Sequence, residues 1–158
     1  MMQRRKGKAG EQELARLLRN NLSIDVTRNL IQARNGGADL VGLPGFALEV
    51  KRSKQARIGA WWLQTCQQAR AANALPALAY RLDFQEWHFV LPLTALGLAE
   101  PGPDHWKLRI DVNMDAFLAI IGPLLAVAEK RSMHSPIDIG ATTSTALNAL
   151  RARARRAS

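Results

Sequence analysis

One cysteine, Cys66, is all the thiol chemistry this 158-residue chain carries. A lone thiol cannot staple a fold, so stability has to come from a buried core, and the sequence predicts a reducing, cytoplasmic setting. Long hydrophobic runs are missing as well. The longest, Ala116–Ala128, is interrupted by Gly122-Pro123 and falls short of the roughly 18 apolar residues that suggest a membrane span. No membrane association is therefore expected, and no apolar segment of the secretory kind follows the basic N-terminus. Three histidines, His88, His105 and His134, are too scattered to suggest a zinc site, and His88 in its strand-like run reads as structural. Internal repeats, helix-turn-helix and zinc-finger signatures are also lacking, so any nucleic acid would be read by shape through its phosphates.

Acidic residues are in short supply. There are 13 against 22 Lys and Arg, for a net charge of +9. The cations are grouped: Arg4, Arg5, Lys6 and Lys8 at the front, Lys51, Arg52, Lys54 and Arg57 in the middle, and Arg151, Arg153, Arg155 and Arg156 at the end. Grouped cations favour phosphate backbones and make binding salt dependent. For 151–158 a flexible solubilising tail is an equal reading. With 47% hydrophobic residues, the chain can bury a core of ordinary domain size.

The few acids are not scattered. Within Gly36-Gly37-Ala38-Asp39-Leu40-Val41-Gly42-Leu43-Pro44-Gly45-Phe46-Ala47-Leu48-Glu49-Val50-Lys51-Arg52, one acid precedes a turn, and a second acid and a lysine follow it. Pro44-Gly45 marks the turn between two short strands. Side chains alternate along a strand, so Glu49 and Lys51 share one face and Leu48 and Val50 the other. A charged pair placed this way is expected at the rim of a site rather than fully inside. Asp39 and Glu49 are hard oxygen ligands suited to magnesium or manganese, with Lys51 able to orient a water or hold a phosphate oxygen. The plainer alternatives are an Asp serving a Gly-Gly turn and a Glu/Lys pair on a solvated edge.

Upstream, Leu14, Leu17 and Leu18 have the one-face spacing of an amphipathic helix. Glu11, three residues before Leu14 and seven before Leu18, lies on that apolar stripe, whereas Glu13 lies further round toward solvent. Glu11 can thus reach a site where the helix meets a sheet, or simply favour the helix dipole from the first turn. Downstream, Ile58, Trp61, Trp62, Thr65, Ala69 and Ala72 form the apolar stripe of a second helix, with Gln64 and Gln68 at its edge. The two tryptophans are readily explained as core.

The run Arg5-Lys6-Gly7-Lys8-Ala9-Gly10-Glu11-Gln12-Glu13-Leu14, then Arg28, Gly37-Ala38-Asp39-Leu40-Val41 and Leu48-Glu49-Val50-Lys51, resembles the PD-(D/E)XK nuclease superfamily. The likeness covers about residues 4–92 and is strongest to archaeal-type and phage Holliday-junction resolvases. It implies that Asp39, Glu49 and Lys51 are the catalytic trio and that Glu11 completes a site for magnesium or manganese, helped by the Val50 carbonyl. It further implies that Arg28 contacts DNA phosphate, that Gln64 sits beside the metal, and that the chain is a homodimer acting on branched DNA. Ala38 stands where the superfamily's name has proline. The expected activity is metal-dependent hydrolysis of DNA phosphodiesters, most specifically at four-way junctions. The alternatives are a nuclease for linear duplex or DNA ends, and a DNA-binding module without chemistry. Arg5, Lys6, Lys8, Arg28, Arg52, Lys54 and Arg57 are the expected DNA contacts.

The order of elements predicts an α/β sandwich, a restriction-endonuclease-like mixed sheet flanked by helices. Helices are expected over 8–20 and 57–73, and strands near 24–28, 38–43, 46–52, 76–82, 86–92 and 106–112. A helix over 114–130 is expected to break or kink at Pro123. Residues 1–130 then form the nuclease domain, and 131–158 a linker and basic tail.

Overall fold

The computed structural model describes residues 2–30, 38–100, 102 and 105–132, and side chains within 7–30, 38–100, 102 and 106–127. The proposed linker and tail beyond 132, His134, and the side chains of Arg4, Arg5, Lys6 and His105 lie outside the described residues.

Six strands form one sheet in sequential order. They are β1 (Thr27–Arg28), β2 (Leu40–Val41), β3 (Phe46–Ser53), β4 (Leu75–Leu82), β5 (His88–Pro92) and β6 (Arg109–Asn113). Every pairing is antiparallel except β3 with β4, which run parallel over eight register pairs from Phe46–Leu75 to Ser53–Leu82. A parallel pair needs a crossover, and α2 (Ile58–Ala71) supplies it. The other helices are α1 (Met2–Leu22) and α3 (Met114–Ser132). The predicted α/β sandwich with a mixed sheet is what the chain forms.

Strand alternation divides the interior in two. Leu48, Val50, Ala77, Ala79, Phe89 and Leu91 face α1 and α3, where they meet Leu14, Leu18, Phe117, Ile121 and Leu125. Phe89 and Phe117 stack with ring centroids 3.9 Å apart. Burying each such side chain contributes about 1.5–3 kcal/mol. Leu78, Tyr80 and Val90 face α2, against Trp62 and Cys66. The short β2–β3 turn depends on Gly42: at φ 101°, a Cβ there would lie 2.0 Å from the Asp25 carbonyl oxygen.

Several sequence expectations change. Helix α1 begins before residue 8, and β1 and β2 shrink to two residues each. The expected break at Pro123 does not occur, since α3 runs through it. Pro123 is exposed while Ile121 and Leu125 on either side are buried, so core packing keeps the helix going across the missing hydrogen bond. On α2 the buried set is Trp62, Thr65, Cys66 and Ala69, so Cys66 joins the stripe whereas Trp61 is half-buried and Ala72 exposed.

Candidate active site

The site grows out of the β2–β3 pairing. The Asp39 amide donates to the Leu48 carbonyl at 3.0 Å and the Asn29 amide donates to the Asp39 carbonyl at 2.9 Å, which locks Asp39 at the start of β2. Its carboxylate reaches across to accept the Val50 amide at 2.7 Å. Asp39 is thus committed to β3 through its side chain, beyond anything a turn residue requires.

Glu49 is only 2% exposed. One carboxylate oxygen, Oε1, accepts Lys51 Nζ at 2.6 Å and Gln64 Nε2 of α2 at 3.0 Å. The other, Oε2, is buried with no hydrogen-bond partner. Burial first, then the adjacent Asp39 carboxyl, push the Glu49 carboxyl from 4.5 up to about 7, against the opposing pull of Lys51. The expectation that this pair would sit at a rim holds for Lys51, whose side chain is 25% exposed, and fails for Glu49. Helix α2 roofs the glutamate, and Gln64 and Lys51 partly compensate its burial.

Glu11 does not converge with them. Its carboxylate accepts a short hydrogen bond from Arg28 Nε of β1, and among the described residues no three His, Cys, Asp or Glu side chains form a metal-ligand group. The structure therefore brings together Asp39, Glu49, Lys51 and Gln64, and sets Glu11 with Arg28 beside them. Two carboxylates are what magnesium commonly takes from a protein, the rest being waters and phosphate oxygens. The bare buried Oε2 of Glu49 beside a second carboxyl fits a divalent ion, which would satisfy that oxygen and offset the like-charge contact.

Residues 2–105, which carry these strands and α2, match the family model of the phage PDDEXK endonucleases. The chain belongs to this family. The nuclease is also similar in structure to Archaeoglobus fulgidus Hjc, a Holliday junction resolvase from an archaeal hyperthermophile, at 21% identity over 71% of this chain and 87% of that one, with a TM-score of 0.43. No curated protein matches the nuclease. No helix among its described residues is long and apolar enough to cross a membrane.

The expected DNA contacts are placed unevenly. Lys8, Lys54 and Arg57 are exposed. Arg52 is turned to the opposite face from Lys51 and lies 3.8 Å from Glu13, across a bare stretch of α1: a Cβ at Gly10 would sit 2.5 Å from Arg52 Cδ. Glu13, expected toward solvent, instead accepts short hydrogen bonding from Arg81 and a bond from Trp87 Nε1 at 3.2 Å. Sequence reasoning passed over this hub because its partners come from β3, β4 and the residue just before β5. It also passed over a cavity of about 600 Å³ between α1 and β1, lined by Gln12, Arg16, Arg19, Thr27 and Arg28 among others. The three-residue spacing of Arg16 and Arg19 on α1 was the available signal.

A further polar group extends the Lys51 face across the sheet. Lys51 is in register with Tyr80, and Tyr80 with His88. The Tyr80 hydroxyl donates to Asp111 Oδ2 at 2.6 Å, His88 Nδ1 lies 3.1 Å from Asp111 Oδ1, and the Tyr80 and His88 rings stack at 5.3 Å. Burial and then the Asp111 carboxylate raise the Tyr80 phenol above its ordinary value, so it is a fixed donor. His88 is thus held in place by Asp111 and by its stacking on Tyr80.

Proposed function

We propose that the chain is a divalent-metal-dependent endonuclease that hydrolyses DNA phosphodiesters, with a preference for branched DNA such as four-way junctions. The observation that carries the chemistry is the buried Glu49 carboxylate, beside the Asp39 carboxyl, whose Oε1 holds the Lys51 ammonium while its Oε2 has no hydrogen-bond partner. An acid pair this costly is explained when a cation and a phosphate complete it.

Asp39 and Glu49, with the Val50 carbonyl, would hold magnesium or manganese, which supplies Lewis acidity toward phosphate oxygens and acidifies water. Lys51 orients the attacking water and offsets the negative charge that develops on the phosphate. Gln64 holds Glu49 in its rotamer from α2. Glu11 aims Arg28 at the phosphate rather than acting as a third ligand in this arrangement. Lys8, Lys54 and Arg57 are exposed and bind the flanking backbone, joined by Arg5 and Lys6 of α1. Residues 1–130 form the catalytic domain. Although the family match ends at residue 105, β6 pairs with β5 at five positions and Phe117 of α3 stacks on Phe89. The enzyme acts as a homodimer, so that two sites can cut opposing strands of a junction.

The test is cleavage of a labelled four-way junction and its matching linear duplex with magnesium, manganese or EDTA, for the wild type, Asp39→Asn and Lys51→Ala. Metal-dependent paired nicks in the junction, lost in both variants, are expected. Equal cutting of the duplex would replace junction preference with a general nuclease. Tight binding without cutting under any metal would leave a DNA-binding module.

A further inference from the structure

Phe84 stands at the tip of the turn between β4 and β5. Its side chain is fully exposed, and its φ is 64°, a left-handed backbone that bulky side chains rarely adopt. The turn around it is tied down: the Asp83 amide donates to the Ser53 carbonyl at 3.1 Å and the Gln85 amide to the Leu82 carbonyl at 3.2 Å, and Trp87 just beyond is buried. A strained residue in a fixed turn thus displays a large aromatic ring to solvent, where no burial favours it.

Its position gives the display a use. Leu82 pairs with Ser53, so the turn emerges where β3 and β4 both end, beyond Lys51 and where the connection to α2, with its exposed Lys54 and Arg57, begins. Two residues of β3, one strand spacing and two residues past β4 separate Lys51 from Phe84, on the order of 10–15 Å.

We infer that Phe84 is a wedge that stacks on a DNA base left accessible at a branch point or other unpaired step, close to the phosphate held at Glu49 and Lys51. This rests on the DNA nuclease reading above. Aromatic and apolar side chains inserted at base steps engage disturbed or single-stranded DNA in this way, since every base offers a π-face. The neighbours of Phe84 narrow the choice of partner. Phe84 projects singly between Asp83, Gln85 and Glu86, whereas a stable protein interface needs a broad patch, about 800 Å² on each side. The two acids also disfavour phosphate at the tip itself, so the ring meets a base while Lys54 and Arg57 take the backbone.

The full chain in EDTA is titrated with a four-way junction carrying the fluorescent base analogue aminopurine at its branch point, and with the matching linear duplex. Wild type is expected to change the aminopurine fluorescence and to favour the junction. Phe84→Ala should lose the fluorescence change and weaken junction binding about tenfold, the scale of one lost base stack, with a change below about twofold for the duplex. Phe84→Trp should retain both properties. Phe84→Gly, which relieves the left-handed strain, should lose the signal while melting no lower than wild type. The wedge is overturned if Phe84→Ala or Phe84→Gly keeps the signal, or if both DNAs are weakened equally. An unchanged DNA signal with a lower mass by light scattering would overturn it in favour of a contact between copies of the chain. The readout needs no cutting, so absence of cleavage under any metal would remove the nuclease reading and leave the wedge standing.

Discussion

Glu13 and Glu49 are carboxylates on opposite faces of the same sheet, and their surroundings have opposite signs. Glu13 reaches from α1 to two arginines in register on β3 and β4, Arg52 and Arg81, and to the indole of Trp87. Glu49 has one lysine, a neighbouring acid and an oxygen with no partner. The first group sets one acid against two arginines, so its charge is balanced within the fold, although the Nε of both Arg52 and Arg81 is buried without a hydrogen-bond partner. The second is short of positive charge inside a chain that carries nine in excess. On the function proposed above, the contrast separates an acid balanced by arginines from one that a cation would complete, a distinction that residue type alone does not make.

The largest expected effect lies on the unsatisfied side. Asp39→Asn keeps an acceptor for the Val50 amide but removes a charge beside Glu49, so cleavage should fall by about 1000-fold or more with the melting temperature at or above that of wild type. A loss of activity accompanied by a lower melting temperature would mean that Asp39 serves the β2–β3 pairing instead.

Next comes the pH dependence of the metal-free protein. In the fold the Glu49 carboxyl titrates near 7 rather than 4.5. Between those values the unfolded chain has released its proton while the folded chain keeps it. Stability from this group is therefore full below about pH 4.5, falls as pH rises toward 7, and is then level, a drop of about 3 kcal/mol. Urea unfolding in EDTA at pH 5 and pH 8 should show it, and Glu49→Gln should abolish the difference. Magnesium or manganese added at pH 8 should restore stability to wild type and leave Glu49→Gln unchanged.

Gln64→Ala sharpens the comparison at smaller scale. It deletes the bond from α2 to Glu49 Oε1 while leaving Lys51 in place. Groups that orient metal-binding side chains contribute about 10- to 100-fold, so a cleavage loss in that range with an unchanged melting temperature is expected. A loss below about twofold would make the bond incidental.

Much of this was legible because strand alternation is rigid. Once Leu48 and Val50 were placed in the core, Glu49 and Lys51 had to share the other face, and Asp39 followed from the turn between them. Helical spacing put Gln64 only at the edge of the α2 stripe, and it was the family resemblance that implied its place beside the site. What escaped depends on neighbours far away in sequence. Glu49 is buried because α2 crosses over it, and a strand pattern cannot foretell a roof. Glu13 could be read only as a solvent-side residue of α1, since Arg52, Arg81 and Trp87 reach it through tertiary packing. Pro123 was read as a break or kink because propensity counts the lost hydrogen bond and not the buried Ile121 and Leu125 beside it. Phe84 gave no periodic signal, since its meaning lies in a backbone angle.

The smallest effect tests the charge-balanced side. Glu13→Ala removes the shared acceptor of Arg81 and Trp87 and leaves two arginines adjacent in register. These side chains are 18–26% exposed, so solvent screening limits the cost to about 1–2 kcal/mol by urea unfolding. Cleavage by the folded fraction should stay within about threefold of wild type. Most of that cost is the charge left behind, so adding Arg81→Met to Glu13→Ala should recover part of the stability and make the pair less than additive. Should Glu13→Ala instead silence cleavage without loosening the fold, the division between a structural acid and a cation-seeking acid would fail, and the hub on α1 would belong to the active site.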